Sequence, residues 1–164
     1  METIVLDDNH QACLDVAYRY LSHRARSERE VRLYLRRRCF GENEVDEVIV
    51  GLKRRGLIDD SDFARLWTEH RQSFNPRGRA MLRLELRQKG VDADIVSQAI
   101  EDVDDSSCAY DAARRKVRHL STSDRSQFQR KLFNFLRQRG FDYQVCQNTV
   151  GRLWQEVMGE KDNV

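Results

Sequence analysis

Proline occurs once and glycine eight times in 164 residues. So few turn formers exclude a β-sandwich or barrel, which needs a turn every ~8–12 positions. A collagen-like chain or Pro-rich linker is excluded as well. Long apolar runs are also missing. Ile4-Val5-Leu6 and Val48-Ile49-Val50 are the longest aliphatic stretches, against the ~20 residues that span a bilayer, so no membrane association is expected. No basic segment precedes the first apolar residues, and Asp7 and Asp8 follow them at once, so no secretory leader is expected.

The four cysteines, Cys13, Cys39, Cys108 and Cys146, form no CxxC pair, and His10-x-x-Cys13 has no second pair to complete a zinc site. They read as free thiols of a cytoplasmic protein, each a small, mostly buried hydrophobe. A glycine-rich phosphate loop is absent, and His10, His23, His70 and His119 are scattered away from any acid or nucleophile. No catalytic residue, metal or cofactor is therefore expected. Asp59, Asp60 and Asp62 follow Gly56 at a helix start and read as caps rather than a metal site, and Ser27 reads as a cap rather than a nucleophile.

Charge is what the sequence has in quantity. Charged residues make up 34% and hydrophobic residues 40%, with a mean hydropathy of −0.75. This is wet for one compact globule but too apolar for a disordered chain. The net charge of +2 hides a block pattern. Between Arg19 and Arg38 stand eight arginines against Glu28 and Glu30, and between Arg114 and Arg139 nine basic residues against Asp124. Acids gather at 42–47, 59–62 and 101–105. Of the 29 basic residues, 24 are arginine, whose planar fork of donors suits phosphates and carboxylates. Such segregation favours a polyanionic or charge-patterned partner, with a solvated helix face as the plain alternative.

A similarity at a period of about fifty residues organises the chain. Leu35-Arg36-Arg37-Arg38-Cys39-Phe40 matches Leu86-Arg87-Gln88-Lys89-Gly90-Val91 and Leu136-Arg137-Gln138-Arg139-Gly140-Phe141. One helical turn before the leading leucines stand Val31, Leu82 and Leu132. Downstream, Val48, Ile49 and Leu52 correspond to Ala99, Ile100 and Val103, and to Thr149, Val150 and Leu153. The expected fold is all-α: three tandem three-helix repeats forming an elongated, curved array. Repeats are placed at 11–57, 58–104 and 105–158, between short tails at 1–10 and 159–164. Units this small are close to the lower limit for a core of their own, so neighbours should lean on each other.

Punctuation supports the helices. Ser27-x-x-Glu30 is a capping box, and Asp124-x-x-Gln127 repeats its logic. Asn75-Pro76 puts a cap before a first-turn proline. Lys89-Gly90-Val91, Arg139-Gly140-Phe141 and Arg55-Gly56-Leu57 read as helix ends, with glycine left-handed and the next apolar residue folded back. Cys39 stands where the other repeats have glycine, and a β-carbon disfavours that conformation, so the first repeat is expected to end its helix differently, using Gly41. Apolar spacing adds helices over 12–21, 63–71 and 108–120. Trp67 and Trp154 read as core, and Tyr18, Tyr20 and Tyr34 as core or rim, with stacking on bases as their functional alternative.

The segments Arg24-Ala25-Arg26-Ser27-Glu28-Arg29-Glu30, Gly56-Leu57-Ile58-Asp59-Asp60-Ser61-Asp62-Phe63-Ala64, and Asn75-Pro76-Arg77-Gly78-Arg79 with Leu84-Glu85-Leu86-Arg87-Gln88-Lys89-Gly90-Val91 resemble motifs of the RecX regulators. The resemblance runs from about Ala17 to Val103 and more weakly to about Trp154. It implies a cytoplasmic bacterial protein that binds the RecA nucleoprotein filament and mostly inhibits its ATPase, coprotease and strand-exchange activities; a monomer is the expected state. It further implies a place in DNA repair, recombination and SOS control, with weaker binding to single- and double-stranded DNA. A DNA-binding helical repeat without an obligatory recombinase partner is the alternative reading.

The candidate binding residues are basic. Arg29, Arg32 and Arg36 share one helical stripe away from the Val31/Leu35 face, and Arg79, Arg83 and Arg87 make the corresponding stripe in the second repeat. Arg36, Arg87 and Arg137 occupy equivalent positions, as do Arg38, Lys89 and Arg139; in a last helical turn they also complement the helix dipole. Arg24, Arg26, Arg77 and Arg130 complete the set.

Overall fold

The computed structural model describes residues 2–121 and 123–162, and side-chain surroundings for 8–121 and 123–159. The outermost residues of both expected tails lie outside the described residues. Among those described, the secondary structure is nine helices and no strand: α1 (Glu2–Leu21), α2 (Glu28–Arg37), α3 (Glu42–Arg54), α4 (Asp60–Phe74), α5 (Arg79–Gln88), α6 (Ala93–Ala99), α7 (Asp105–Val117), α8 (Arg125–Gln138) and α9 (Tyr143–Asp162). α1 begins ten residues before the helix expected from Ala12, and α9 runs on through most of the expected C-terminal tail. Neither extension has the apolar periodicity that would betray it.

The chain divides into two compact units. The first holds Met1–Trp67 and Leu86–Ala99, and the second Thr68–Glu85 and Ile100–Val164. In the first, α1, α2 and α3 pack on one another around Cys13, Ala17, Val31, Leu35, Val45, Val48, Ile49, Leu52 and Ile58. In the second, α7, α8 and α9 do the same, burying Cys108, Ala109, Ala113, Phe128, Leu132, Leu136, Phe141, Cys146 and Leu153. All the repeat columns read from the sequence are buried except Phe40 and Ala99, which are half-buried. Three cysteines are buried as expected; Cys39 is exposed.

Helix starts and stops follow short-range hydrogen bonding, with instructive departures. The capping box of α2 forms in both directions: the Glu30 amide donates to Ser27 Oγ and the Ser27 amide to Glu30 Oε2, each at 3.2 Å. At α8 only half forms, because Asp124 accepts from the Ser126 and Gln127 amides while the Gln127 carboxamide accepts from Lys131. Asn75-Pro76 does not start α5. The helix opens at Gly78, whose carbonyl accepts from the Met81 and Leu82 amides at 3.0 Å, while Pro76 is buried in the turn before it. Leu57 is exposed, so the residue folding back after Gly56 is Ile58.

The first repeat ends its helix in the same way as the others, contrary to expectation. Cys39 adopts φ +65°, beside +83° at Gly90 and +86° at Gly140. Its amide donates to the Arg36 carbonyl at 2.9 Å and the Phe40 amide to Leu35 at 3.5 Å. Gly41, at φ −69°, instead starts α3. The half-buried Phe40 and the two hydrogen bonds hold a left-handed cysteine that costs ~1–2 kcal/mol relative to glycine. Cys39→Gly should therefore raise stability by about 1 kcal/mol, net of glycine's greater unfolded-state freedom. A urea midpoint that falls would show that the cysteine side chain contributes packing the exposed position does not suggest.

Candidate binding surfaces

One junction recurs in each unit and decides where the basic residues go. In the first unit the start of α2 meets the end of α5. Ser27 Oγ donates to the Lys89 carbonyl at 2.6 Å, the Glu28 amide to Asp60 Oδ1 at 2.9 Å, and Lys89 Nζ to Glu30 at 2.7 Å. In the second, the start of α5 meets the end of α8. There the Gly78 amide donates to the Arg139 carbonyl at 2.9 Å, the Arg79 amide to Asp105 Oδ1 at 3.0 Å, and Arg139 to Asn75 Oδ1 and the Pro76 carbonyl. Each helix start thus gives amides to the next repeat, Glu28 at α2 and Gly78 and Arg79 at α5. Burial pushes the Asp60 and Asp105 carboxyls up, against the lowering effect of the amides they accept from. The first aspartate of each pair, Asp59 or Asp104, caps its own helix, as expected for Asp59; the second ties one repeat to another, so Asp60 is not the simple cap expected of it. That role was missed in the sequence, although the Asp-Asp doublet recurring before α4 and α7 was its signal.

In the first unit, Arg29, Arg32 and Arg36 do line one surface. With Leu33, Glu28, Asp60 and Gly90 they form an open groove of about 420 Å3. Arg32 is held by Glu28 at 3.0 Å and by Asp46, and Arg36 by Glu42 at 2.6 Å. Among the described residues Arg29 reaches only the Gln88 carbonyl, at 3.5 Å, and its stem lies over Gly90. Arg24 pairs with Glu30 at 2.8 Å. Arg26 stacks 4.1 Å from the Tyr20 ring, which stacks in turn on Tyr34 at 3.9 Å. Arg38 completes the pile over Tyr34, so these tyrosines are covered by guanidiniums of their own unit. Lys89, besides holding Glu30, lies 5.1 Å from the Trp67 ring. Arg87 donates to the Val91 carbonyl at 3.1 Å.

In the second unit, Arg137 repeats the Arg87 contact, donating to the Phe141 carbonyl at 2.7 Å. Arg79 folds onto the Glu101 and Val103 carbonyls at 2.9 Å each. Arg77 sits 3.9 Å from Glu85, which Arg71 also contacts at 2.9 Å. Arg83 and Arg130 are exposed and make no hydrogen bond or ion pair among the described residues; Arg130 borders a cavity of about 410 Å3 with Phe133 and Tyr143. The candidates therefore sort by partner. Arg79, Arg87, Arg137 and Lys89 close the fold, Arg32 and Arg36 are neutralised nearby, and Arg29, Arg83 and Arg130 offer open donors.

Among the described residues no group of three or more His, Cys, Asp or Glu is placed to hold a metal ion. No helix among them is long and apolar enough to cross a membrane.

Comparison with known proteins places this architecture. Three family models match in tandem: the first three-helix domain of RecX over residues 13–52, the second over 59–100 and the third over 104–150. A protein of Chlorobium phaeobacteroides (strain BS1) named Regulatory protein RecX is 34% identical over 149 residues, 91% of this chain and 98% of its own. Another of that name from Amycolatopsis mediterranei (strain U-32) is 32% identical over 157 residues, 94% of this chain and 90% of its own. The crystal structure of RecX from Lactobacillus salivarius, 24% identical, superimposes with a TM-score of 0.77 over 90% of this chain and 97% of that one.

Proposed function

The chain belongs to the RecX family of regulatory proteins, and from that membership we propose that it binds the RecA nucleoprotein filament as a cytoplasmic monomer. Binding restrains the filament's ATPase, coprotease and strand-exchange activities, and so acts in recombination, DNA repair and the SOS response. The carrying observation is the tandem match to all three RecX domains. Arg29, the open donor of the α2 groove, supports it, since a guanidinium fork suits the carboxylates and phosphates of a filament. No covalent step is needed. A regulator that binds one filament state more tightly than another shifts their populations by the ratio of its two affinities.

The test is RecA ATP hydrolysis on saturating single-stranded DNA, with this protein added to preformed filaments at physiological salt. Inhibition at substoichiometric amounts is expected, and no effect at stoichiometric excess overturns the proposal. Variants should be chosen from the open donors, since reversing Arg32 would strand Asp46 and set a like charge beside Glu28, leaving Glu28 only its pair with Lys53. In Arg29→Glu/Arg83→Glu, reversal of two exposed charges worth up to ~1 kcal/mol each should raise the half-inhibiting concentration about tenfold. An unchanged value with folding intact removes these two arginines from the interface. Should RecA be unaffected while DNA is bound, the reading of a DNA-binding repeat protein takes its place; a cationic cavity in the second unit supports that reading.

A further inference from the structure

Phe74, Arg115, Lys116, His119, Phe135 and Arg139 come together in the second unit, from the last residue of α4 and from the C-terminal parts of α7 and α8 with the residues just beyond them, around a cavity of about 270 Å3. None of its nine lining residues is acidic, in contrast to the α2 groove, where Glu28 and Asp60 sit among the arginines. Arg115 donates to the Phe74 and Ser73 carbonyls at 3.1 and 3.3 Å, and Arg139 to Asn75 and Pro76 through one of its nitrogens. Each guanidinium has five N–H donors, so both keep donors to spare. Lys116 and Arg139 lie 5.6 and 4.4 Å from the Phe135 ring, which forms an apolar floor beneath two cations. At the rim, Phe74 lies 5.0 Å from the His70 ring yet is 72% exposed, leaving most of an aromatic ring in water beside a concentration of positive charge.

We propose that this cavity is a binding site for single-stranded nucleic acid, in which Arg115, Lys116 and Arg139 hold one backbone phosphate and Phe74 stacks on the adjoining base. The two halves of the site match the two halves of a nucleotide. Cations alone would serve an acidic peptide equally, but that leaves the part of the Phe74 ring not packed on His70 without a partner. Phosphate and base alternate along a single strand, so a guanidinium cradle and an aromatic platform side by side fit one repeat of that chain. The local electrostatics ask for an anion. Burial lowers the tendency of Arg139 to hold its proton, and Arg77, Arg115 and Arg71 lower it further. A phosphate would relieve that repulsion, and the carbonyls that now occupy the guanidiniums carry only partial charge. This deepens the DNA-contact part of the proposed function, yet it can fail separately from filament binding.

The experiment is fluorescence anisotropy of a labelled oligothymidylate with the full chain across a salt series. Arg115 and Arg139 also hold the carbonyls at the end of α4, so the informative variants are Phe74→Ala and Lys116→Gln, their folding checked by circular dichroism. Phe74→Ala should weaken binding at least about fivefold with an unchanged salt slope, because stacking releases no counterion. Lys116→Gln should reduce the slope by about 0.7, the value of one single-strand phosphate contact. An abasic strand of equal length should bind parent and Phe74→Ala alike. Parent-like binding of oligothymidylate by both variants overturns the proposal, as does an abasic strand bound as tightly as oligothymidylate. If Phe74→Ala loses the oligonucleotide while still inhibiting RecA on preformed filaments, the site stands and the filament contact lies elsewhere. If RecA inhibition is absent from the parent itself, the oligonucleotide series still decides the site.

Discussion

Replacing Gly78 by alanine is expected to destabilise the protein by about 3 kcal/mol. A β-carbon there would lie 2.3 Å from the Gly140 carbonyl oxygen, 2.5 Å from its carbon and 2.7 Å from the Phe141 nitrogen. All three are backbone atoms, so no side chain can swing aside. The hydrogen bond from the Gly78 amide to the Arg139 carbonyl would stretch, leaving buried polar groups unsatisfied at ~1–3 kcal/mol, and overpacking adds ~1–3 kcal/mol. Gly140→Ala should cost at least as much. Its β-carbon meets the Met81 nitrogen at 2.6 Å, and at φ +86° the left-handed backbone adds ~1–2 kcal/mol. The double variant should cost less than the sum, since both break one contact. Gly51→Ala in α3 has open space around it and should stabilise by about 1 kcal/mol. Urea unfolding followed by circular dichroism measures all four. A Gly78→Ala midpoint equal to the parent's would mean the two backbones part without penalty and the junction does not hold the second unit together.

The second large effect is expected at Glu30, with a pH signature of its own. Its side chain is 14% exposed and is gripped by Arg24 at 2.8 Å and Lys89 at 2.7 Å, while its Oε2 accepts from the Ser27 amide. Burial opposes ionisation, but the hydrogen bonds from Arg24, Lys89 and Ser27 outweigh it and bring the carboxyl from 4.5 down to about 2. A folded-state value below the unfolded one gives stability that is complete above about pH 4.5 and is lost as the pH falls toward 2. Such a lowering is worth about 3 kcal/mol at neutral pH. Glu30→Gln should therefore unfold more easily than the parent at pH 7 by about that amount. The gap should close as both are titrated from pH 4.5 toward 2. A gap constant across that range would assign the loss to packing, and no gap at pH 7 would mean the ion pairs only break even with solvation.

Both predictions concern contacts between repeats, and these were the least legible part of the sequence. The capping box at Ser27 and Glu30 could be read because its partners are three residues apart. That the same serine also donates to Lys89, and the same glutamate also receives Lys89, could not. The equivalent row Arg38, Lys89 and Arg139 looked like a choice between helix-dipole complement and ligand binding. The structure puts Lys89 on Glu30 and Arg139 on Asn75, in each case a residue of the preceding repeat. Cys39 shows the opposite failure, in which a sound local preference against positive φ lost to the Schellman hydrogen bonds and to Phe40. The cationic cavity was hinted at by the basic run before Leu120, but its rim aromatic, Phe74, lies about forty residues earlier.

The helical class, the triplication, the buried columns and most helix ends are legible in the order of residues. Those features rest on interactions within about five residues and on a 3.6-residue period, and both are written in the order of residues. Which of the 24 arginines meet a carboxylate, a carbonyl or only water is settled by the packing of distant segments. An arginine side chain looks alike in all three settings, and its fate depends on groups that folding brings from other helices. Arg79, Arg83 and Arg87 stand one turn apart on α5. Arg79 bonds to Glu101 and Val103 and Arg87 to Val91, while Arg83 remains open to solvent.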